Sequence, residues 1–233
     1  MYHSVFFVNF ATLPSVPARY DQYCPIARGL DVIGDRWTLL VLRELSLGAQ
    51  RFTDLRRNLA GIPPNVLSQR LKRLGEDGMV AVEELPPPAA RSVYKLTERG
   101  REVVPVLRAL VRFGTPELAP ATADRAPRPD TVAPVVFLSW FDEVEAARLE
   151  VDEHYDVVVD GPEAAHVQHL SSQRPATRRR VVGDAAVTLE GPAWAFTRLR
   201  QDRTLDELAA DGTLRVTGSK AARSRFRRLY ALA

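Results

Sequence analysis

GIPPNVLSQRLKRLGEDGMVAVEELPPPAARSVYKLTERG, residues 61–100, is the stretch that decides the fold. Gly61-Ile62-Pro63-Pro64 reads as a tight turn, since proline presets φ and glycine accepts conformations closed to other residues. From Asn65 to Asp77, Val66, Leu67, Leu71 and Leu74 recur at helical spacing, and Gly78 stands where a glycine closes a helix. The period then changes. Met79–Leu85 predicts a strand, residues 86–91 a loop, and Ser92–Leu96 the returning strand. Thr97 is the expected cap of a long last helix with Val103, Val104, Leu107, Leu110, Val111 and Phe113 on its apolar positions. Pro105 falls inside that helix as a point of kinking.

Upstream, Cys24-Pro25 opens a helix carrying Ile26, Leu30 and Ile33, with proline at the first helical position. Gly34-Asp35 breaks the pattern, and Trp37 to Leu47 is a second helix with Trp37, Leu40, Val41, Glu44 and Leu45 on one stripe. Thr53 is the expected N-cap of a short third helix, Asp54 to Leu59.

Helix, proline-containing turn, helix, then a hairpin with a basic tip is the order of a winged helix-turn-helix. The major groove admits one α-helix, and the second helix of the pair enters it. Here Asn65, Ser68, Gln69 and Lys72 fall opposite the apolar face. Asn and Gln can bond to adenine edges at two points, and Ser to several edges. Arg70 and Arg73 are placed toward phosphates, as are Thr53, Arg56 and Arg57 on the preceding helix, with Arg51 on the same surface. Arg91, on the wing, is placed for phosphate or the minor groove. The competing readings of this pattern are a solvated helix face and a module for protein contacts.

Charge distribution favours the nucleic-acid reading. The chain of 233 residues has a formal charge of only +3. Yet between Gln50 and Leu74 six basic side chains face Asp54 alone, whereas from Pro120 onward 16 basic residues meet 17 acidic ones. A basic footprint confined to one half fits duplex DNA bound by one domain.

Several blocks together resemble the HxlR family of winged-helix transcription factors. They are Cys24-Pro25-Ile26-Ala27, the run from Leu30 to Leu40, Leu42-Arg43-Glu44-Leu45, Arg51-Phe52-Thr53-Asp54-Leu55, Gly61-Ile62, Val66 to Leu71 and Tyr94 to Gly100. The resemblance covers about residues 20 to 114. The lone cysteine, Cys24, fits a reducing cytoplasm, and the resemblance implies a homodimer formed by the first helix and the long last helix of the domain, with two recognition helices spaced for a pseudo-palindromic operator on double-stranded DNA. It implies that the polar face from Asn65 to Arg73, plus the wing, reads the sequence. Pro63-Pro64 departs from the family pattern, where a polar residue is more usual in the turn. Cys24 lies where some members of the family carry a thiol that senses oxidants or electrophiles. A thiol ahead of a helix N-terminus, with Arg28 one turn along, suits a thiolate, while a small residue packed at an interface is the plainer reading.

Residues 116–133, rich in proline, read as a linker between a domain at 19–115 and another at 134–233, and residues 1–18 read as a tail or arm. Beyond the linker, Val132–Phe141 is an apolar helix or strand. Tyr155–Gly161, Ala164–Leu170, Arg180–Val182, Ala186–Gly191 and Thr213–Gly218 are strand candidates. Ala193–Leu199, Leu205–Ala210 and Lys220–Leu232 read as helices, giving an α+β domain and an α+β chain overall. Asp184 to Leu189, Gly212 to Gly218 and the closing helix resemble the sterol carrier protein-like fold, a sheet covered by helices around an apolar tunnel. That resemblance implies a hydrophobic small-molecule effector, with Trp140, Phe141, Trp194, Phe196, Leu199, Leu205 and Phe226 as wall residues. Filling the core is the alternative role for each.

Catalytic signatures are absent: no nucleophile elbow, phosphate loop or metal motif occurs, so neither enzymatic activity nor a cofactor is expected. His166 and His169 lack the further ligands a metal needs. One cysteine allows no intrachain disulfide, and no apolar run is long enough to span a membrane. The expected function is therefore a transcriptional regulator, most simply a repressor, controlled by an apolar ligand. A redox sensor acting through Cys24, or a lipid carrier or enzyme with an accessory DNA-binding module, are the alternatives.

Overall fold

The computed structural model describes residues 19–85, 91–125, 128, 131–132, 148, 152–160, 166–170, 176–178, 184–230 and 232. Two units divide the chain, one ending at Arg36 and the other beginning at Trp37. In the first, α1 (Pro25–Ile33) starts with proline in its first turn and Cys24 at the cap in extended backbone. Asp31 accepts the Tyr20 backbone N–H at 2.8 Å and pairs with Arg28 at 3.4 Å. Tyr23, Ile26 and Leu30 lie exposed around this helix.

The second unit opens with α2 (Thr38–Ser46). Trp37, expected as its first residue, stands before it in left-handed backbone at φ 78°. For a bulky residue that conformation costs about 1–2 kcal/mol and needs enforcement by its surroundings. The third helix, α3, spans Phe52–Asn58, not Asp54–Leu59. Arg51 is its cap residue: the N–H groups of Asp54 and Leu55 both bond to the Arg51 carbonyl, which draws Thr53 into the first turn and removes its expected capping role.

Next comes α4 (Pro64–Glu76), where the apolar spacing predicts it. Leu67, Leu71 and Leu74 are buried and Val66 is half-buried. Gly78, at φ 69°, ends the helix in the left-handed conformation that favours glycine. Strands β1 (Val80–Leu85) and β2 (Arg91–Leu96) pair antiparallel, Val80 opposite Leu96 and Leu85 opposite Arg91.

The long helix expected after Thr97 is two helices. Thr97 caps only α5 (Glu98–Arg101), its hydroxyl oxygen accepting the Gly100 N–H at 3.0 Å. The next helix, α6 (Val104–Gly114), carries Pro105 in its own first turn. Proline has no N–H to donate, and a first turn needs none, so the chain breaks ahead of Pro105 instead of kinking at it.

In the C-terminal half, described strands form a sheet in the order β5-β4-β3-β6-β7: β3 (Glu153–Val159), β4 (His166–Leu170), β5 (Ala176–Arg178), β6 (Val187–Gly191) and β7 (Arg215–Gly218). β3 runs parallel to β6, and the remaining pairs are antiparallel. Tyr155 to Val159 are all buried, as expected of a central strand covered on both faces. Helices α7 (Ala193–Gln201), α8 (Leu205–Ala210) and α9 (Lys220–Leu229) follow. Thr204 and Glu207 form a capping box at the start of α8. Of the expected Val132–Phe141 segment only Val132 is described; it is helical and buried. The Arg180–Val182 candidate lies outside the described residues, as do residues 1–18 and 86–90.

One apolar cluster joins Tyr155, Val157, Leu189, Phe196, Leu205, Phe226, Leu229 and Tyr230. The Phe226 ring lies 4.6 Å from Tyr230 and 5.3 Å from Tyr155 between centroids. At the edge of this core, Tyr155 donates its hydroxyl to Glu153 at 2.6 Å, and the Arg225 guanidinium grips the same carboxylate. Burial alone would raise the Glu153 carboxyl. The Arg225 and Tyr155 hydrogen bonds, with the Arg225 charge, outweigh it and hold the group below its ordinary 4.5. A carboxylate depressed in the folded state stabilises fully above its unfolded pKa, and that stability is lost as pH falls through the folded value. Glu153→Gln is therefore expected to lose stability near neutrality and to show a flatter decline below about pH 4.5. Denaturant midpoints across an acid series read this, and parallel declines in the two proteins would refute it.

Candidate nucleic-acid interface

Burial of Leu67, Leu71 and Leu74 fixes the rotation of α4 about its axis, and so decides which residues face solvent. Asn65, Ser68, Gln69 and Lys72 are all exposed. Their i, i+3, i+4, i+7 spacing makes one continuous stripe along the helix. Lys72 pairs with Glu76 at 3.8 Å, an exposed contact of small worth that a phosphate can replace. Arg70 and Arg73 are half-buried on the flanks, with Arg73 4.0 Å from Asp77.

On α3, Thr53, Arg56 and Arg57 are exposed, and Arg57 lies 3.5 Å from Asp54. Arg51 is half-buried at the cap. The wing is less basic than its tip suggests, since Lys95 is paired with Glu83 and Ser92 with Glu84. Arg91 begins β2 opposite Leu85; its side chain lies outside the described residues.

A buried polar relay sets α3 against α2 and the wing, and sequence reasoning missed it. Gln50 pairs through its backbone with Tyr94 on β2, N–H to O at 2.9 and 2.8 Å in the two directions. Its side-chain amide donates to the Glu44 carbonyl on α2 and accepts from Asn58 at the end of α3, the latter at 3.1 Å. Glu44 is fully buried, its carboxylate held by Arg43 at 2.8 Å. A charged residue at the i+7 position of an apolar stripe was the available signal for this relay.

The predicted pocket residues are placed differently from one another. Phe196, Leu205 and Phe226 sit deep in the core, each at 1% exposure, and Trp194 and Leu199 pack half-buried against it. Trp140 and Phe141 lie outside the described residues. Cys24 is half-buried at the cap of α1, its carbonyl accepting the Arg28 N–H at 3.0 Å. Described residues of the proline-rich stretch are not free of the C-terminal half. The Gln201 side chain accepts the Ala121 N–H at 3.4 Å and donates to the carbonyls of Leu118 and Ala119 at 3.3 Å, and Ala121 is buried. Among the described residues no helix is long and apolar enough to cross a membrane.

Comparison with known proteins matches the same part of the chain. Residues 32–121 fit the model of the HxlR-like helix-turn-helix family. An uncharacterized HTH-type transcriptional regulator of Mycobacterium tuberculosis is 42% identical over 89 residues, 38% of this chain and 56% of the relative. The chain thus spans about half the length of that relative. YvaP, an uncharacterized HTH-type transcriptional regulator of Bacillus subtilis, is 31% identical over 105 residues, 45% of this chain and 97% of the relative. A solved structure described as a MarR-family transcriptional regulator from Porphyromonas gingivalis is 28% identical, with a TM-score of 0.40 over 42% of this chain and 96% of that one. With a helix pair, a wing and a family model matched to the same part of the chain, this chain belongs to the HxlR-like helix-turn-helix family.

Proposed function

We propose that the protein is a dimeric, sequence-specific repressor of the cytoplasm that inserts α4 into the major groove of a pseudo-palindromic operator. The exposed stripe Asn65, Ser68, Gln69 and Lys72, on a helix anchored from behind by three buried leucines, carries this reading. Arg56, Arg57 and Lys72 supply phosphate contacts and register, while Asn65 and Gln69 supply base discrimination. Dimerisation is supported by α6, where Val106, Leu110 and Phe113 are 41%, 43% and 79% exposed on an amphipathic helix. Exposed Tyr23, Ile26 and Leu30 on α1 offer a second apolar surface for the same purpose.

The C-terminal half serves as the effector domain and performs no catalytic step. Its run of β6, α7, α8, β7 and α9 beside a sheet of five described strands supports the reading of a sterol carrier protein-like domain with a hydrophobic effector.

Anisotropy titrations over a salt series test the division of labour on α4, using a duplex selected from random sequence and a scrambled control. Gln69→Ala should cost about 1–3 kcal/mol on the selected duplex and almost nothing on the scrambled one. Lys72→Ala should weaken both alike and lower the salt slope by about 1. Equal losses on the two duplexes for Gln69→Ala would remove base reading from α4.

A further inference from the structure

Helix α9 buries Ala222, Phe226 and Leu229 and so turns its opposite side outward. Lys220, Arg223, Ser224 and Arg227 follow at i, i+3, i+4 and i+7, one edge of the helix. That edge forms a wall of a cleft of about 770 Å³, closed by Arg215 and Val216 on β7 and by Asp206 and Ala209 on α8, with Leu214 at its floor. The volume falls within the range of roughly 300–1,000 Å³ typical of small-molecule sites.

The charge balance in this cleft is one-sided. Asp206 is the acidic residue of the lining, and both terminal nitrogens of Arg227 bond to it. Arg215 leans outward to Glu190 at 3.4 Å, both side chains well exposed. Lys220 and Arg223 have no ion-pair partner among the described residues, and both are exposed. Two uncompensated cations therefore stand with the Ser224 hydroxyl above an apolar floor. The concave shape and that floor suit a small molecule better than the convex phosphate ridge of a duplex.

We propose that this cleft binds a small amphiphilic anion, its phosphate or carboxylate head held by Lys220, Arg223 and Ser224 and its apolar body laid on Ala209, Leu214 and Val216. Arginine offers such a head group a planar fork of donors, and lysine adds a point charge. The site is distinct from the apolar core around Phe226, and the proposal holds whether or not α4 reads bases. It would make the effector anionic at one end.

Calorimetric titration of the full chain at fixed ionic strength tests this with hexyl phosphate, hexanoate and inorganic phosphate. Saturable binding of hexyl phosphate or hexanoate is expected, and the stronger of the two identifies the head group. Inorganic phosphate, lacking the apolar body, should bind at least tenfold more weakly. Lys220→Ala with Arg223→Ala should weaken the amphiphile at least tenfold, with an unchanged melting transition, since both side chains are exposed. Lack of saturable binding by any of the three overturns the proposal, as does binding indifferent to the double variant. A double variant that instead loses affinity for non-specific duplex, with amphiphile binding intact, also overturns it, by assigning the edge to DNA. Titration of the same variant with the selected duplex separates this result from any failure of base reading by α4.

Discussion

Phe226→Ala lowers the stability of the C-terminal half by about 3–5 kcal/mol, the range for truncating a large buried aromatic. Phe226 is 1% exposed and touches both Tyr155 and Tyr230, so its removal opens a void between α9 and the central strand. Tyr230 is fully buried beside it, in packing that relaxes only partly around such a void. Phe226→Leu keeps much of the volume and should lose far less. Urea unfolding followed in the C-terminal half measures both, and near-equal midpoints for wild type and Phe226→Ala would show that the core is not organised around this ring.

Gly100→Ala should be similarly severe in the winged-helix half, for a backbone reason. A Cβ at residue 100 would stand 2.0 Å from the Met79 carbonyl oxygen and 3.0 Å from its carbon. No rotamer relieves a clash with backbone, so α5 must move away from the α4–β1 junction. That movement pulls at the Thr97 N–H bond to Met79 (3.0 Å) and the Thr97 hydroxyl bond to the Gly78 carbonyl (2.6 Å), which tie the wing to the end of α4. The cost is expected at or above the upper end of the roughly 1–3 kcal/mol seen for overpacked sites. DNA affinity should fall with it, because wing and recognition helix lose their common anchor. An alanine variant with wild-type melting behaviour and wild-type DNA affinity would refute the close approach.

The readable parts of this molecule are those where burial is one-sided. On α4 the leucines face inward and the polar stripe faces out, so period alone places Asn65, Ser68, Gln69 and Lys72. The hairpin is equally legible from the change of period after Gly78, and the helices after Gly191 from their apolar residues, while the Thr204–Glu207 capping box emerges only in the structure. What period does not carry is competition between caps and breakers. Thr97 and Pro105 both signal helix starts, and only tertiary packing shows that each starts its own helix. The left-handed Trp37 has no local signature, because nothing in an indole favours positive φ. The relay through Glu44, Gln50 and Asn58 joins separate elements, so a charge on the apolar stripe of α2 signals it, but no helix or strand period reveals its partners. In the C-terminal half an apolar residue that lines a tunnel and one that fills a core look alike; Phe196, Leu205 and Phe226 are embedded in the core, whereas the cleft described here is walled by α9's charged edge.

In the proposed complex α4 reads base sequence as one half of a symmetric pair. Capture of fragmented genomic DNA by the purified full chain, compared with its Gln69→Ala variant, tests it most directly. A short inverted repeat enriched by the wild type is expected, with half-sites about one helical turn apart, and no motif for the variant. Uniform, salt-sensitive capture without any motif in the wild type would contradict it, leaving the basic surface of α3 and α4 as a non-specific phosphate contact.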